Sequence, residues 1–252
     1  MSASRADAAA ALLIEARRSG VPLAGFPEAC RPRDAEEAYA VQDAVLRRRG
    51  RAGAWKVGAS APAAAASFAP IGRLAESPAM LQSGSLRLFG IEAELAFRLG
   101  RDLPPIDRPY VRADIAAALA ALHPVVEVLD SRFVDRLRVD EAARLADDLS
   151  NFALVVGPAV PDWPGRAVDL VAPALAVAID GAAVAEGGGN AAGDPLRLVA
   201  ELANHCAGRG GGLRRGDLVT TGSLSGLVLA HAGAAVVADF GPLGTVRVGF
   251  AP

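Results

Sequence analysis

The sequence predicts a mixed α+β protein, and three observations carry that reading. Two helical segments open the chain, strand-like runs dominate beyond Arg73, and few crossover helices separate those runs, unlike a doubly wound parallel sheet. The 252 residues, more than half of them hydrophobic, can bury a full core as one large domain or as a small domain plus a larger one. A soft boundary near Arg73 divides the chain into a mainly helical part, residues 1–73, and a β-rich part, residues 74–252.

Residues 7–19 and 34–49 read as helices. Gly20 and Gly50 stand just past their ends, and Asp34 with Glu36 and Glu37 gives the second a capping residue and first-turn acids. Pro22, Gly25, Pro27 and Pro32 make the connection a loop. Ala54-Trp55-Lys56-Val57-Gly58 reads as a strand, and the Ala-, Ser- and Pro-rich segment Ala59 to Ala69 as a short helix or a mobile lid. The pattern then gives a strand from Leu86 to Leu99, a helix from Asp114 to Leu122, a strand around Glu127, a short helix from Asp140 to Leu149 and a strand from Ala153 to Val156. Asp180-Gly181 between two apolar runs predicts a hairpin with a type I′ turn. Asp194 as cap and Pro195 at the first helical position open a helix to about Arg209. Gly216 to Leu224 reads as a strand entering a Gly/Ser turn, and two further strands, Ala234 to Phe240 and Gly244 to Phe250, are joined around Gly241-Pro242.

A net charge of −2 with no basic cluster interleaved with aromatics argues against nucleic acid as a partner; Arg47-Arg48-Arg49 suits a helix C-terminus. The apolar run Ala8 to Ile14 is too short to span a bilayer and lacks the layout of a signal peptide, so a soluble cytoplasmic protein is expected, with no membrane partner. Cys30 and Cys206 lie far apart without metal-binding spacing and read as buried small hydrophobes. No phosphate-binding glycine loop is present.

Chemistry concentrates in three places. In Phe89-Gly90-Ile91-Glu92-Ala93-Glu94-Leu95-Ala96-Phe97 the alternation puts Glu92 and Glu94 on one face of a strand, near enough to share a hard divalent cation such as Mg2+, Ca2+ or Mn2+. A strand with one wet face also carries glutamates without any function. In His123-Pro124-Val125-Val126-Glu127-Val128-Leu129 a carboxylate sits inside an apolar run, which demands a compensating charge: a cation shared with Glu92 and Glu94, or an ion pair with one of the many arginines. Lys56 is the only lysine among 26 basic residues and sits in an apolar strand. Ammonium and guanidinium differ most where a titratable amine is needed, which makes Lys56 a candidate for chemistry. His123, His205 and His231 read as structural.

These segments, taken in order from about residue 34, resemble the 2-keto-4-pentenoate hydratase and 4-oxalocrotonate decarboxylase family of the fumarylacetoacetate hydrolase superfamily. The likeness is carried by Trp55-Lys56-Val57-Gly58, Ile91 to Phe97, Pro124 to Arg132, Ala146-Asp147-Asp148-Leu149-Ser150, Gly193-Asp194-Pro195-Leu196, Gly216 to Leu224 and Ala238 to Gly244. The resemblance implies a twisted mixed β-roll with a smaller helical N-terminal part, assembled into homo-oligomers, with Glu92, Glu94 and Glu127 as ligands of Mg2+ or Mn2+ and Lys56 as the family's lysine. It also implies a small 2-oxo acid substrate and admits a complex with a pathway enzyme. Two departures stand out: Pro70-Ile71-Gly72-Arg73 lacks the acid expected in that turn, and Asp148 replaces an expected Asn.

The expected reaction is addition of water to a 2-hydroxy-alkadienoate, a carbon–oxygen lyase step of aromatic meta-cleavage catabolism. A decarboxylase of the same family and an acylpyruvate hydrolase are the alternatives, because one Lewis-acid site serves all three. Within that reading Lys56 is expected to transfer a proton or stabilise charge. Ser150 could orient a water or merely cap a helix end, and the turn Gly222-Ser223-Leu224 could offer backbone N–H groups to the substrate carboxylate.

Overall fold

A computed structural model of the chain describes residues 1–251. Helices α1 (Ala3–Ser19) and α2 (Ala35–Arg49) pack on each other, their alanine faces buried. Gly20 ends α1 with φ 71°, a conformation that glycine adopts without a Cβ penalty, and the Asp34 carboxylate accepts the Glu37 N–H at the start of α2.

One sheet holds the order β2 (Ser67–Ile71), β1 (Ala54–Gly58), β10 (Leu218–Thr220), β5 (Gly90–Leu99), β6 (Leu119–Leu129), β7 (Asn151–Val156) and β3 (Leu74–Glu76), with β11 (Val228–Leu229) also on β5. The second runs β4 (Ala79–Leu81), β13 (Thr245–Phe250), β12 (Ala235–Asp239), β8 (Ala176–Ile179) and β9 (Ala182–Glu186). The pairing is mixed, with β1 parallel to β10 and β5 antiparallel to both β10 and β6. Helices α3 (Arg112–Ala116), α4 (Glu141–Ala146) and α5 (Pro195–Arg209) lie in the connections. Phe97, Phe133, Phe240 and Phe250 are almost wholly buried in a core shared by the N-terminal helices and both sheets. No helix among the described residues is long and apolar enough to cross a membrane.

The class is the mixed one expected. The hairpin at Asp180-Gly181 has φ of 50° and 83°, as a type I′ turn requires, and α5 starts with Asp194 accepting the Leu196 N–H ahead of Pro195. Three expectations need correction. The helix expected to Leu122 stops at Ala116, and Leu119 to Leu122 belong to β6, where Leu122 faces Phe97 and Leu119 faces Leu99. The alanine-rich sequence favours helix locally, but pairing along a ten-residue strand outweighs a propensity of a few tenths of a kcal/mol per residue. The helix expected to Leu149 ends at Ala146, after which Asp148, Leu149 and Ser150 take φ of 51°, 51° and 64° in a tight 3-10 turn. Residues 59–66 form turns rather than a helix, and Ser67 already lies in β2.

Candidate active site

Register builds the site. Glu92 on β5 faces Glu127 on β6 across the antiparallel pair, and the two-residue period puts Glu94 on the same side. Lys56 arrives from β1, opposite Thr220 of β10, which in turn opposes Ala96 of β5. Three strands, with β10 between β1 and β5, thus bring three carboxylates and one ammonium together, with carboxylate oxygens of Glu92, Glu94 and Glu127 all within 4.8 Å of one another.

Partners are distributed unevenly. Glu127, fully buried, accepts hydrogen bonds at Oε1 from Lys56 Nζ at 2.7 Å and Asn151 Nδ2 at 2.9 Å, while its Oε2 is buried with no partner. Glu94 accepts at Oε2 from the Thr220 hydroxyl and from the Gly222 N–H at 3.0 Å. Burial pushes Glu94 up to about 8, helped by the charges of Glu127 and Glu92 and opposed by Lys56 and the Thr220 hydroxyl. Glu92 is also raised, by burial and by Glu127, against the pull of Lys56 and Arg136. Burial alone would lower Lys56, but Glu127, Glu92 and Glu94 outweigh it and hold the ammonium above its ordinary value.

One lysine for two buried carboxylates and a half-buried third leaves an excess of negative charge, an orphaned oxygen and a glutamate driven toward its neutral acid. A divalent cation with oxygen ligands corrects all three at once, so the donor set fits such an ion.

The cluster opens onto a cavity of about 540 Å3. Lys56, Glu92 and Glu94 are its charged lining residues; Asn190, Ser223 and Leu149 add larger side chains, and Gly58, Ala59, Ala65 and Ala191 small ones. Ser223 Oγ is buried without a partner. Within the expected Gly222-Ser223-Leu224 turn, the Gly222 N–H is taken by Glu94 and the Leu224 N–H by Ala93 O at 2.9 Å. Leu224 is buried in the core instead of lining the cavity; Gly222 and Ser223 both line it, and Ser223 brings the turn's unpartnered hydroxyl.

Ser150 also stands elsewhere: its backbone joins Asp147 O and Asp130 N, and the cavity is lined by its neighbour Leu149. The residue that reaches the carboxylates from this segment is Asn151, which strand alternation on β7 places opposite Leu129. Thr220, Asn151 and Asn190 were therefore missed from sequence. Asn190 donates to Thr221 O at 2.6 Å and accepts from Ala192 N, which fixes the cavity wall. For Thr220 a signal existed, since Thr220-Thr221 ends a strand beside β5; for the two asparagines none did.

The histidines lie outside the lining. His123 contacts Gly157 O at 2.9 Å, His231 pairs with Asp180 at 2.9 Å, and His205 packs on Tyr39 and Phe68, where burial lowers it to about 4. Cys30 and Cys206 are buried and free.

The fumarylacetoacetate hydrolase C-terminal family profile matches residues 63–251. The chain belongs to the fumarylacetoacetate hydrolase superfamily. Within it, the chain falls in the 2-keto-4-pentenoate hydratase family. It is 33% identical to a 2-keto-4-pentenoate hydratase of Paraburkholderia phymatum over 98% of each chain. It is 34% identical to one of Burkholderia vietnamiensis over 96% of this chain and 95% of that one. Among solved structures, 4-oxalocrotonate decarboxylase from Pseudomonas putida G7, complexed with magnesium and adipate, superposes with a TM-score of 0.78 at 24% identity, covering 96% of this chain and 97% of that one. That likeness bears on the fold.

Proposed function

We propose that this protein is a divalent-metal-dependent hydratase that converts a 2-hydroxy-alkadienoate to a 4-hydroxy-2-oxo acid in meta-cleavage catabolism. The observation that carries the proposal is the charge-unbalanced Glu92–Glu94–Glu127 cluster beside Lys56 on a cavity whose other walls are uncharged. The relatives named hydratases support the reaction class. In the same reading the sheets form the superfamily's twisted β-roll, and the protein is a cytoplasmic homo-oligomer with a small 2-oxo acid as substrate.

Glu92, Glu94 and Glu127 would hold Mg2+ or Mn2+, which when bound supplies Lewis-acid polarisation at the substrate's C2 oxygen. Asn151 and Thr220 aim the carboxylates by occupying Glu127 Oε1 and Glu94 Oε2. Lys56, facing the cavity with its ammonium on Glu127, is placed to pass a proton or to stabilise negative charge developing on the substrate. Ser223 offers its unpartnered hydroxyl to the substrate carboxylate. For the five-carbon substrate the water hydroxyl goes to C4, and C3 and C5 each gain one hydrogen as the C2 enol becomes a ketone. No arginine lines the cavity to receive a second carboxylate, which favours an uncharged tail over the dicarboxylate that an oxalocrotonate decarboxylase takes. No histidine lines it to activate a water, which disfavours acylpyruvate hydrolysis.

The test is absorbance and product identity with freshly generated 2-hydroxypenta-2,4-dienoate, with and without Mg2+, beside 4-oxalocrotonate. Cation-dependent 4-hydroxy-2-oxopentanoate, reduced at least a hundredfold in Glu94→Gln, is the expected result. Turnover of the oxalocrotonate alone would assign the decarboxylase instead.

A further inference from the structure

A second charged cavity of about 280 Å3 lies between the end of α2, the β2–β3 turn and the start of the 148–150 turn, lined by Arg49, Arg51, Arg73 and Asp148 among others. Arg51 is held by Asp217 in a two-pronged pair. Arg49 and Arg73 have no carboxylate within ion-pair distance among the described residues, Arg73 lying only over the Phe152 ring. Arg17 reaches the same spot from the last turn of α1. A Cβ placed on Gly72 would lie 3.3 Å from a guanidinium nitrogen of Arg17 and 3.3 Å from one of Arg49. A position in a last helical turn accounts for one cation at each helix end, but not for two guanidiniums converging on one point.

Charge here is out of balance in the opposite sense from the catalytic cluster. Arg17 is lowered to about 10, first by burial and then by the charges of Arg132 and Arg49, against a partial return from Asp148. The one carboxylate present is itself incompletely used. Asp148 is 5% exposed; its Oδ2 meets Arg17 at 3.1 Å, and its Oδ1 is buried without a partner.

We infer that the cavity at Gly72 is a binding site for a protonated phosphoryl oxyanion, either hydrogen phosphate or the end of a phosphomonoester. Its unprotonated oxygens accept from Arg49, Arg73 and Arg17, whose planar donor arrays suit such oxygens. Its P–OH donates to Asp148, a carboxylate that repels a fully deprotonated anion such as sulfate. The Arg cluster supplies attraction and Asp148 supplies selectivity, which is why an acid in a basic pocket belongs to the argument. Asp148 is followed directly by Leu149, which lines the catalytic cavity, so the two sites stand on either side of one left-handed turn.

Calorimetric titration of the full-length, metal-free protein with inorganic phosphate tests the inference, since no cation is then present to bind phosphate at the glutamates. The titrations are run at about pH 5.5, where a phosphomonoester, with its second pKa near 6, still carries a P–OH and sulfate carries none; sulfate at equal ionic strength and methyl phosphate form parallel arms. Saturable binding of phosphate, weakened at least about tenfold in the Arg49→Ala/Arg73→Ala double variant, is expected, with sulfate binding at least about tenfold more weakly. In Asp148→Asn the preference for phosphate over sulfate should disappear. Tighter binding of methyl phosphate than of phosphate assigns the site to a phosphomonoester, and the reverse order to free phosphate. No saturable binding by wild type, equal binding by the double variant, or equal affinity of wild type for sulfate would each overturn the inference. None of these readouts depends on the hydratase reaction.

Discussion

Two buried charge clusters lie a few residues apart in this molecule and are built on opposite terms. Around Arg132 and Asp147 charge is balanced and saturated. The guanidinium donates to the Asp147 carboxylate, to Asp130 O and to Asn151 O, while Asp147 also accepts the Ser131 hydroxyl at 2.9 Å and the Arg132 N–H at 3.1 Å. Around Glu127 three carboxylates share one lysine, and an oxygen of Glu127 has no partner. Both clusters grow from the same strand, β6, and its continuation, and Glu127, Glu94, Arg132 and Asp147 are all buried, though the glutamate cluster opens onto its cavity. A balanced buried pair is complete as it stands and fixes the chain; an unbalanced one is incomplete without something brought from outside. Saturation, more than burial, separates the two clusters here.

The comparison breaks most visibly under single amide substitutions, which remove one negative charge with almost no change of shape. Asp147→Asn strands the Arg132 cation in the interior, and the expected cost is about 3–5 kcal/mol, read as a fall in the urea midpoint. Glu94→Gln should act with the opposite sign in metal-free protein, raising stability at pH 8 by about 1–3 kcal/mol. The sign follows from linkage. Glu94 is raised to about 8 in the folded state, so its contribution is fully present below the unfolded value near 4.5 and is lost as pH rises through 8. Metal-free wild type should therefore lose stability from pH 5 to pH 8, and Glu94→Gln should flatten that slope. A destabilised Glu94→Gln at pH 8 would mean that the two clusters do not differ in kind.

A smaller effect sharpens the picture. Thr220→Val removes the hydroxyl that orients Glu94 and should weaken cation affinity about 10- to 100-fold while changing folding stability by no more than about 1 kcal/mol. Titration of the cation in wild type and variant separates those two quantities.

How much of this was legible in the sequence depends on the range over which each feature is determined. Helix caps at Asp34 and Asp194 and the turn at Asp180-Gly181 were readable because neighbours in sequence decide them. Glu92 and Glu94 could be placed on one face from strand periodicity alone, and Glu127 marked itself as a charge in an apolar run. Leu119 to Leu122 were misread as helix because their partner strand, β5, is set by tertiary pairing. The left-handed run at Asp148, Leu149 and Ser150 carries no glycine to announce it, so nothing in the sequence placed Leu149 in the cavity or Ser150 outside it. Asn151 lies 24 residues from Glu127, and only the β6–β7 register brings them together.

The central claim is that the glutamate cluster is completed by a divalent cation, and direct titration of metal-free protein with Mn2+, followed by electron paramagnetic resonance, tests it most simply. One tightly bound Mn2+ per chain, competed by Mg2+ and lost in Glu92→Gln/Glu94→Gln, is the predicted result. A wild type that leaves all the Mn2+ free in solution, or a double variant that binds it equally well, would contradict the account.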